Sequence, residues 1–225
     1  MTNIKTVSVI GLGYIGLPTS AVIAHRGVDV IGVDVNQATV DTINSGKIHI
    51  VEPDLDVMVR DVVKAGHLRA VTAPEPSDVF MIAVPTPFKG SNHVPDLSYV
   101  KAAVLSIAPV LKKGDLVILE STSPVGTTHS MVEWLSSARK DLKFPGDVSI
   151  AYCPERVLPG KIIEELTKND RVIGGMTPHC AERAKALYQL FVKGECVLND
   201  SATAAMCKLT ETSYRAANIA LANEL

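Results

Sequence analysis

The stretch "TVSVIGLGYIGLPTSAVIAHRGVDVIGVD", residues 6–34, restricts the possible folds more than any other part of the chain. "TVSVI" is a short β-branched apolar run, and the residues after it carry apolar side chains at helical spacing until Gly27 ends the pattern. "VDVIGVD" is a second strand, which completes a strand, glycine turn, helix and strand. Gly11, Gly13 and Gly16 form G-x-G-x-x-G at the mouth of the helix. In such a unit the first glycine permits a tight turn, the second lets backbone approach a pyrophosphate, and the third lets helix and strand pack closely. The helix N-terminus then faces the anion, with the backbone amides of Tyr14 and Ile15 expected on the phosphates. Asp34 follows Gly16 by 18 residues and closes the second strand, where a carboxylate accepts hydrogen bonds from an adenosine ribose. A 2′-phosphate would meet its negative charge, so the expected cofactor is NAD rather than NADP. Turn glycines and a helix-capping aspartate would explain each residue singly, but not their order.

The alternation continues. "NQATVDTINSG" reads as a helix with Asn36 as N-cap and Gly46 past its end. A further helix is expected from Leu55 to Ala65, strands at Leu68 to Val71 and Val79 to Val84, a helix from Leu97 to Ala108, and the strand "LVILE". After "KFPGD" come strand "VSIAYC", loop "PERVLPG", helix "KIIEEL", strand "RVIGG", a helix from Pro178 to Phe191 and strand "CVLN". Near-continuous Val and Ile runs mean that both faces of these strands are covered. The expected fold is α/β: a Rossmann-type, doubly wound, mainly parallel sheet forming an NAD-binding domain over residues 1–200. A long helix, over 201–225, follows it.

With 225 residues, 47% hydrophobic and 20% charged, the chain can bury one large core or two modest ones. A net charge of −2 with scattered basic residues gives no electrostatic case for nucleic acid or an anionic membrane. Apolar runs such as "DVFMIAVPTP" are of strand length, far short of the roughly 20 residues that span a bilayer. "MTNIKTVSVIGLG" enters a strand pattern within a few residues and leaves no space for a secretory leader, which favours the cytoplasm. Cys153, Cys180, Cys196 and Cys207 stand far apart without a C-x-x-C pair or a partnering His cluster. No metal site is expected, and the cysteines read as small buried hydrophobes, with a nucleophile among the four as the competing role.

Ligands of open parallel sheets bind at the carboxyl ends of the strands. "VPTP", residues 84–87, and "ESTSPVGTT", residues 120–128, fall there, so Thr86, Ser121, Thr122 and Thr127 are the polar candidates, with loop capping as the competing role for each. In the final helix Lys208, Thr212, Arg215 and Ile219 follow one stripe, able to grip a diphosphate or a developing oxyanion. A solvated face in which Glu211 pairs with Arg215 at i, i+4 explains the same residues.

The succession "GLGYIGLP", "VPTPF", "ESTSPVGTT", "YCPERVLPG" and "CKLTETSYRAANIALANEL" resembles the nucleotide-sugar dehydrogenase family that includes the UDP-glucose and GDP-mannose 6-dehydrogenases. "IHIVEPDL", "AVPTPFKG", "PERVLPG" and "NDRVIGGMTP" most resemble its UDP-N-acetyl-D-mannosamine branch, which serves bacterial surface polysaccharide synthesis. The resemblance implies oxidation of a UDP-sugar C6 alcohol to a carboxylate with two NAD, through an aldehyde and a cysteine thioester. It implies that Lys208 is the catalytic lysine, that Glu155 handles the hydrolytic water, and that Thr122 helps to place a water. Arg156 and Val157 lie in the loop lining the sugar site, and Thr212 takes the place of an asparagine close to the reacting C6 oxygen; Arg215 stays a substrate-binding candidate on its stripe alone. It also implies a homodimer formed through the C-terminal helix.

Two features depart from the family pattern. Thr212 stands where the family usually has asparagine, and threonine is shorter with a single donor. The family's glycine-rich segment bearing the cysteine nucleophile, and the UDP-binding domain after it, have no counterpart here, so none of the four cysteines inherits that role. The expectation is therefore a truncated chain that binds NAD without full turnover. A non-catalytic NAD-binding module derived from the family is the alternative. A dehydrogenase of the β-hydroxyacid type would need a much longer helical second domain.

Overall fold

The computed structural model describes residues 4–91 and 93–225. The first three residues of the N-terminal stretch read above lie outside the described ones. In chain order the elements begin β1 (Thr6–Ile10), α1 (Gly16–Ala24), β2 (Asp29–Val33), α2 (Gln37–Asn44), α3 (Leu55–Lys64), β3 (Leu68–Val71) and β4 (Val79–Ile82). A small hairpin of β5 (Phe88–Lys89) and β6 (Val94–Pro95) leads to α4 (Ser98–Ile107), β7 (Leu116–Leu119), α5 (Thr127–Ala138) and β8 (Ser149–Tyr152). The chain continues through α6 (Ile162–Lys168), β9 (Arg171–Gly175), α7 (Pro178–Tyr188), β10 (Cys196–Asp200) and α8 (Ser201–Glu224).

Eight strands form one sheet in the order β10-β9-β8-β7-β4-β1-β2-β3. All neighbours are parallel except β8 and β9, which pair antiparallel through Ala151↔Gly175 and Tyr152↔Gly174. The order reverses between β1 and β4, and this switch point opens a crevice at their carboxyl ends.

Alternation within each strand explains why the apolar runs are unbroken. Val7 and Val9 of β1, Val79 and Met81 of β4, and Leu116 and Ile118 of β7 enter one buried layer with α1, α3 and α7. Ile10, Phe80, Ile82, Val117 and Leu119 enter the layer on the other face with α4 and α5. Both faces are thus dry, and α1 is buried along its whole length.

Three features differ from the sequence reading. Helix α5, "TTHSMVEWLSSA", was not expected, because its first turn has no side-chain cap and follows Gly126 at φ 97°. The β5–β6 hairpin is too short to show alternation. The antiparallel entry of β9 depends on the end of the sheet to which the connection returns, which the strand's own residues do not encode. Among the described residues no helix is long and apolar enough to cross a membrane, and no group of three His, Cys, Asp or Glu is placed to hold a metal ion.

Candidate active site

The glycine turn lies at the switch point. Gly11 has φ 94°, and a Cβ there would sit 2.8 Å from the Ala83 carbonyl oxygen. A Cβ on Gly16 would collide with the Gly11 carbonyl oxygen. Gly13 differs, because a Cβ there would meet nothing within 4 Å, so the turn faces open space. Among the described residues the N–H groups of Gly13, Tyr14 and Ile15 donate to no protein acceptor, while Leu12 donates to Asp34 Oδ2 at 3.0 Å. The other Asp34 oxygen accepts from the Asn36 N–H at 2.9 Å. Asp34 therefore ties the glycine turn to the end of β2 and keeps lone pairs for a ribose. Beside it opens a largely apolar cleft of about 450 Å³ whose walls include Val33, Thr72, Val84, Tyr99 and Ala102. Free amides at a helix start, a carboxylate on the rim and an apolar slot fit the phosphates, ribose and adenine of NAD. Asp34→Ala removes a charged acceptor, and calorimetry is expected to show NAD binding weakened by about 10- to 100-fold.

A second pocket, about 250 Å³, lies next to the turn at the carboxyl ends of β4, β7 and β8. Ile15, Thr86, Ser121, Thr122, Glu155, Val157 and Lys208 all line it, although they come from five separate parts of the chain. The Thr86 hydroxyl donates to the Thr122 carbonyl at 2.8 Å, joining the two strand-end loops. Ser121 donates to the Val84 carbonyl at 2.7 Å. Lys208 reaches the pocket from α8; burial pulls its pKa down, against the pull of Glu211 and Glu155.

Not every sequence candidate converges here. Thr127 is buried at the start of α5 and its hydroxyl donates to the Pro124 carbonyl at 2.8 Å, a bond within the loop that enters the helix. Thr212 donates to the Lys208 carbonyl one turn back at 2.9 Å, and Arg215 is exposed; neither lines the pocket. Arg156 lines the adjoining cleft with Cys207, Lys208 and Glu211. Its guanidinium forms a two-pronged pair with Glu211, Nε to Oε2 at 3.0 Å and Nη2 to Oε1 at 2.9 Å. The i, i+4 pair of Glu211 with Arg215 is replaced by this long-range fork, whose planar geometry is the stronger arrangement. The cysteines also divide: Cys153 and Cys180 are buried, but Cys207 is exposed. Burial pushes the Cys153 thiol up to about 12, which keeps it protonated and unreactive.

Glu120 and Glu155, both lining the pocket, join Arg171 and Tyr188 in a buried polar cluster that the sequence reading missed. Arg171 of β9, 1% exposed, donates through Nη1 to Glu155 Oε2 at 2.6 Å and through Nη2 to the Leu166 carbonyl at 3.1 Å. Its guanidinium stacks 5.6 Å from the Tyr188 ring centre, and the Tyr188 hydroxyl donates to Glu120 Oε1 at 2.8 Å. Glu120 Oε2 is buried without a partner. Burial pushes the Glu120 carboxyl up to about 7, reinforced by the Glu155 charge and opposed by Arg171 and the Tyr188 hydroxyl. No local pattern marks these residues, since Glu120 and Tyr188 stand 68 positions apart.

Comparison with known proteins identifies the family. A model of the NAD-binding domain of the UDP-glucose/GDP-mannose dehydrogenase family matches residues 5–192. The UDP-N-acetyl-D-mannosamine dehydrogenase of Escherichia coli strain K12 is 64% identical, over 99% of this chain and 54% of its own length. The NDP-N-acetyl-D-galactosaminuronic acid dehydrogenase of Ralstonia nicotianae is 61% identical, with the same coverages of 99% and 54%. Among solved structures, the UDP-D-ManNAc dehydrogenase of Pyrococcus horikoshii superposes with a TM-score of 0.93 at 44% identity, covering 97% of this chain and 52% of that one. The chain spans about half the length of the curated relatives it matches. It belongs to the UDP-glucose/GDP-mannose dehydrogenase family and carries that family's NAD-binding domain.

Proposed function

We propose that the chain is the NAD-binding portion of a UDP-sugar 6-dehydrogenase, and that its sugar is UDP-N-acetyl-D-mannosamine. The observation that carries this reading is the meeting of Lys208, Glu155 and Thr122 in one pocket beside the dinucleotide cleft. Identity of 64% to a mannosamine enzyme supports the sugar, and the galactosaminuronic relative at 61% makes the N-acetylgalactosamine nucleotide, which differs at C2 and C4, the competing substrate.

Gly13, Tyr14, Ile15 and Asp34 would hold NAD, with Thr86 at its reactive end. The cofactor, when bound, supplies the hydride acceptor. Lys208, its pKa lowered by burial, takes the C6 hydroxyl proton and stands beside the oxygen as negative charge develops. Loss of that proton and of a hydride from C6 turns the alcohol into an aldehyde. Thr122 and the Glu155 carboxylate hold a water for the later hydrolysis, with Glu155 fixed by Arg171. Val157 and Arg156 flank the sugar, while Thr212 and Arg215 face substrate further along α8. Among the described residues no cysteine lines the pocket, so the nucleophile of the second oxidation is assigned to residues outside this chain. Tyr214, Ile219 and Leu221, exposed on α8, are assigned to pairing with a second copy; a clean monomer on gel filtration would count against that pairing. The cytoplasm, which holds the nucleotide-sugar pool, is the assigned compartment.

The test is NADH formation at single-turnover enzyme concentration with NAD and UDP-N-acetylmannosamine, run in parallel with UDP-N-acetylgalactosamine. A stoichiometric burst with the first sugar is expected. Lys208→Met is expected to slow it by about 10²-fold or more. No NADH, with NAD binding intact by calorimetry, would instead favour a module that binds the cofactor without oxidising a sugar.

A further inference from the structure

The segment "IHIVEPDL" runs from the end of α2 to α3 and supplies nothing to either pocket. Its Glu52 is nevertheless 5% exposed, a degree of burial that a carboxylate tolerates only with good partners. Those partners are backbone N–H groups 108 and 110 residues further along the chain. Gly160 donates to Oε2 at 2.9 Å and Ile162 to Oε1 at 2.7 Å. Ile162 is the first residue of α6, so the carboxylate satisfies a donor that every helix start leaves without an internal partner. Gly160 is the last residue of "PERVLPG".

That loop is what carries Glu155 and Val157 into the Lys208 pocket and Arg156 into the adjoining cleft. Other carboxylates also hold its backbone. Glu155 Oε1 accepts from the Arg156 N–H at 2.6 Å, and Glu165 Oε2 from the Leu158 N–H at 2.8 Å. Both of these belong to the loop or the helix after it, whereas Glu52 reaches it from the segment between α2 and α3, over 100 residues earlier in the chain. At its near end the loop is anchored by β8; at its far end, the point where the backbone turns into α6, Glu52 is the anchor. Because displacement of reacting groups by about 1 Å can lower a rate 10²-fold, the far anchor matters to chemistry it does not touch.

We propose that Glu52 is a positioning residue, whose buried carboxylate fixes residues 156–160 against the Lys208 pocket. Its meaning for substrate rests on the functional reading above; the tether itself does not. Glu52→Gln keeps the shape but puts an amide donor against a backbone donor, and Glu52→Asp keeps the charge on a shorter arm. In Glu52→Gln, hydrogen exchange at Gly160 and Ile162 is expected to rise by about tenfold or more, extending to Leu158. The Lys208 ammonium, followed by NMR, is expected to titrate closer to the ordinary lysine value as the covering loop loosens. NAD affinity stays unchanged, and Glu52→Asp falls between Gln and wild type. Unaltered exchange would overturn the proposal; so would faster exchange with Lys208 titration unmoved, which would reduce Glu52 to a helix cap. Absence of NADH from the wild-type chain would count against the functional reading alone, because exchange and titration are measured without sugar.

Discussion

Arg171→Met is expected to destabilise the chain by about 3–5 kcal/mol, measured as a lower urea midpoint with an unchanged slope. Arg171 is buried with Glu155, and its Nη1 lies 2.6 Å from the carboxylate. Desolvation penalises both charges, but the attraction and the additional bonds to Leu166 and the Arg156 N–H offset it. Removing one partner leaves the other charge without compensation in a largely buried site, where Glu120 stands nearby as a second acid. Arg171 Nε is already buried without a partner, so the net worth of the pair over an apolar substitute is small. Arg171→Met combined with Glu155→Gln should therefore regain at least half of the loss, because no charge remains to be buried. A single variant within about 1 kcal/mol of wild type would show that the pair is solvated in solution, and the account of the cluster would fail. The NAD cleft lies beyond the pocket, so cofactor affinity in the folded fraction should hold.

What the residues announced and what they withheld divide along a physical line. The β1–α1–β2 unit was legible because each of its signals is local: a β-branched run, three glycines at fixed spacing, and an acid at a strand end. Asp34 was read for its place beside a ribose, and the structure adds that it holds the Leu12 N–H. Lys208, Glu155 and Thr122 were named through resemblance, and only the fold shows them lining one pocket. Interactions set by tertiary packing stayed hidden. Glu211 was paired with Arg215 by helical spacing, yet Arg156, 55 residues away, makes the two-pronged contact. Arg171 read only as the start of strand "RVIGG" and as part of a segment marking the branch, although it holds Glu155 at the pocket. Helix α5 escaped notice because its Thr and Ser residues have weak helix propensity and its cap is a glycine, leaving tertiary burial of Met131 and Leu135 to stabilise it.

Glu120→Gln is expected to remove a pH dependence of stability between about pH 4.5 and 7, on the order of 3 kcal/mol across that window. The carboxyl is fully buried beside Glu155, Arg171, Tyr188 and Cys153, and burial raises it from 4.5 to about 7. Between those values the unfolded chain has released the proton while the folded chain keeps it. The folded state then binds more protons than the unfolded one, so stability must fall as pH rises. The contribution is complete below 4.5, is lost progressively toward 7, and is flat above. Glutamine is neutral throughout and keeps an oxygen for the Tyr188 hydroxyl. Its amide hydrogens fall where Glu120 Oε2 has no partner, so near pH 5 the variant should be no more stable than wild type. By pH 8 it should exceed wild type, because it carries no charge to bury. Denaturation of both proteins at pH 5, 6, 7 and 8 gives the difference directly. Parallel stability curves would mean that Glu120 ionises normally, with water reaching Oε2. A difference that widens with pH would establish a carboxylic acid held near neutrality in the wall of the Lys208 pocket. There, any event that brings negative charge into the pocket would draw its proton on more firmly.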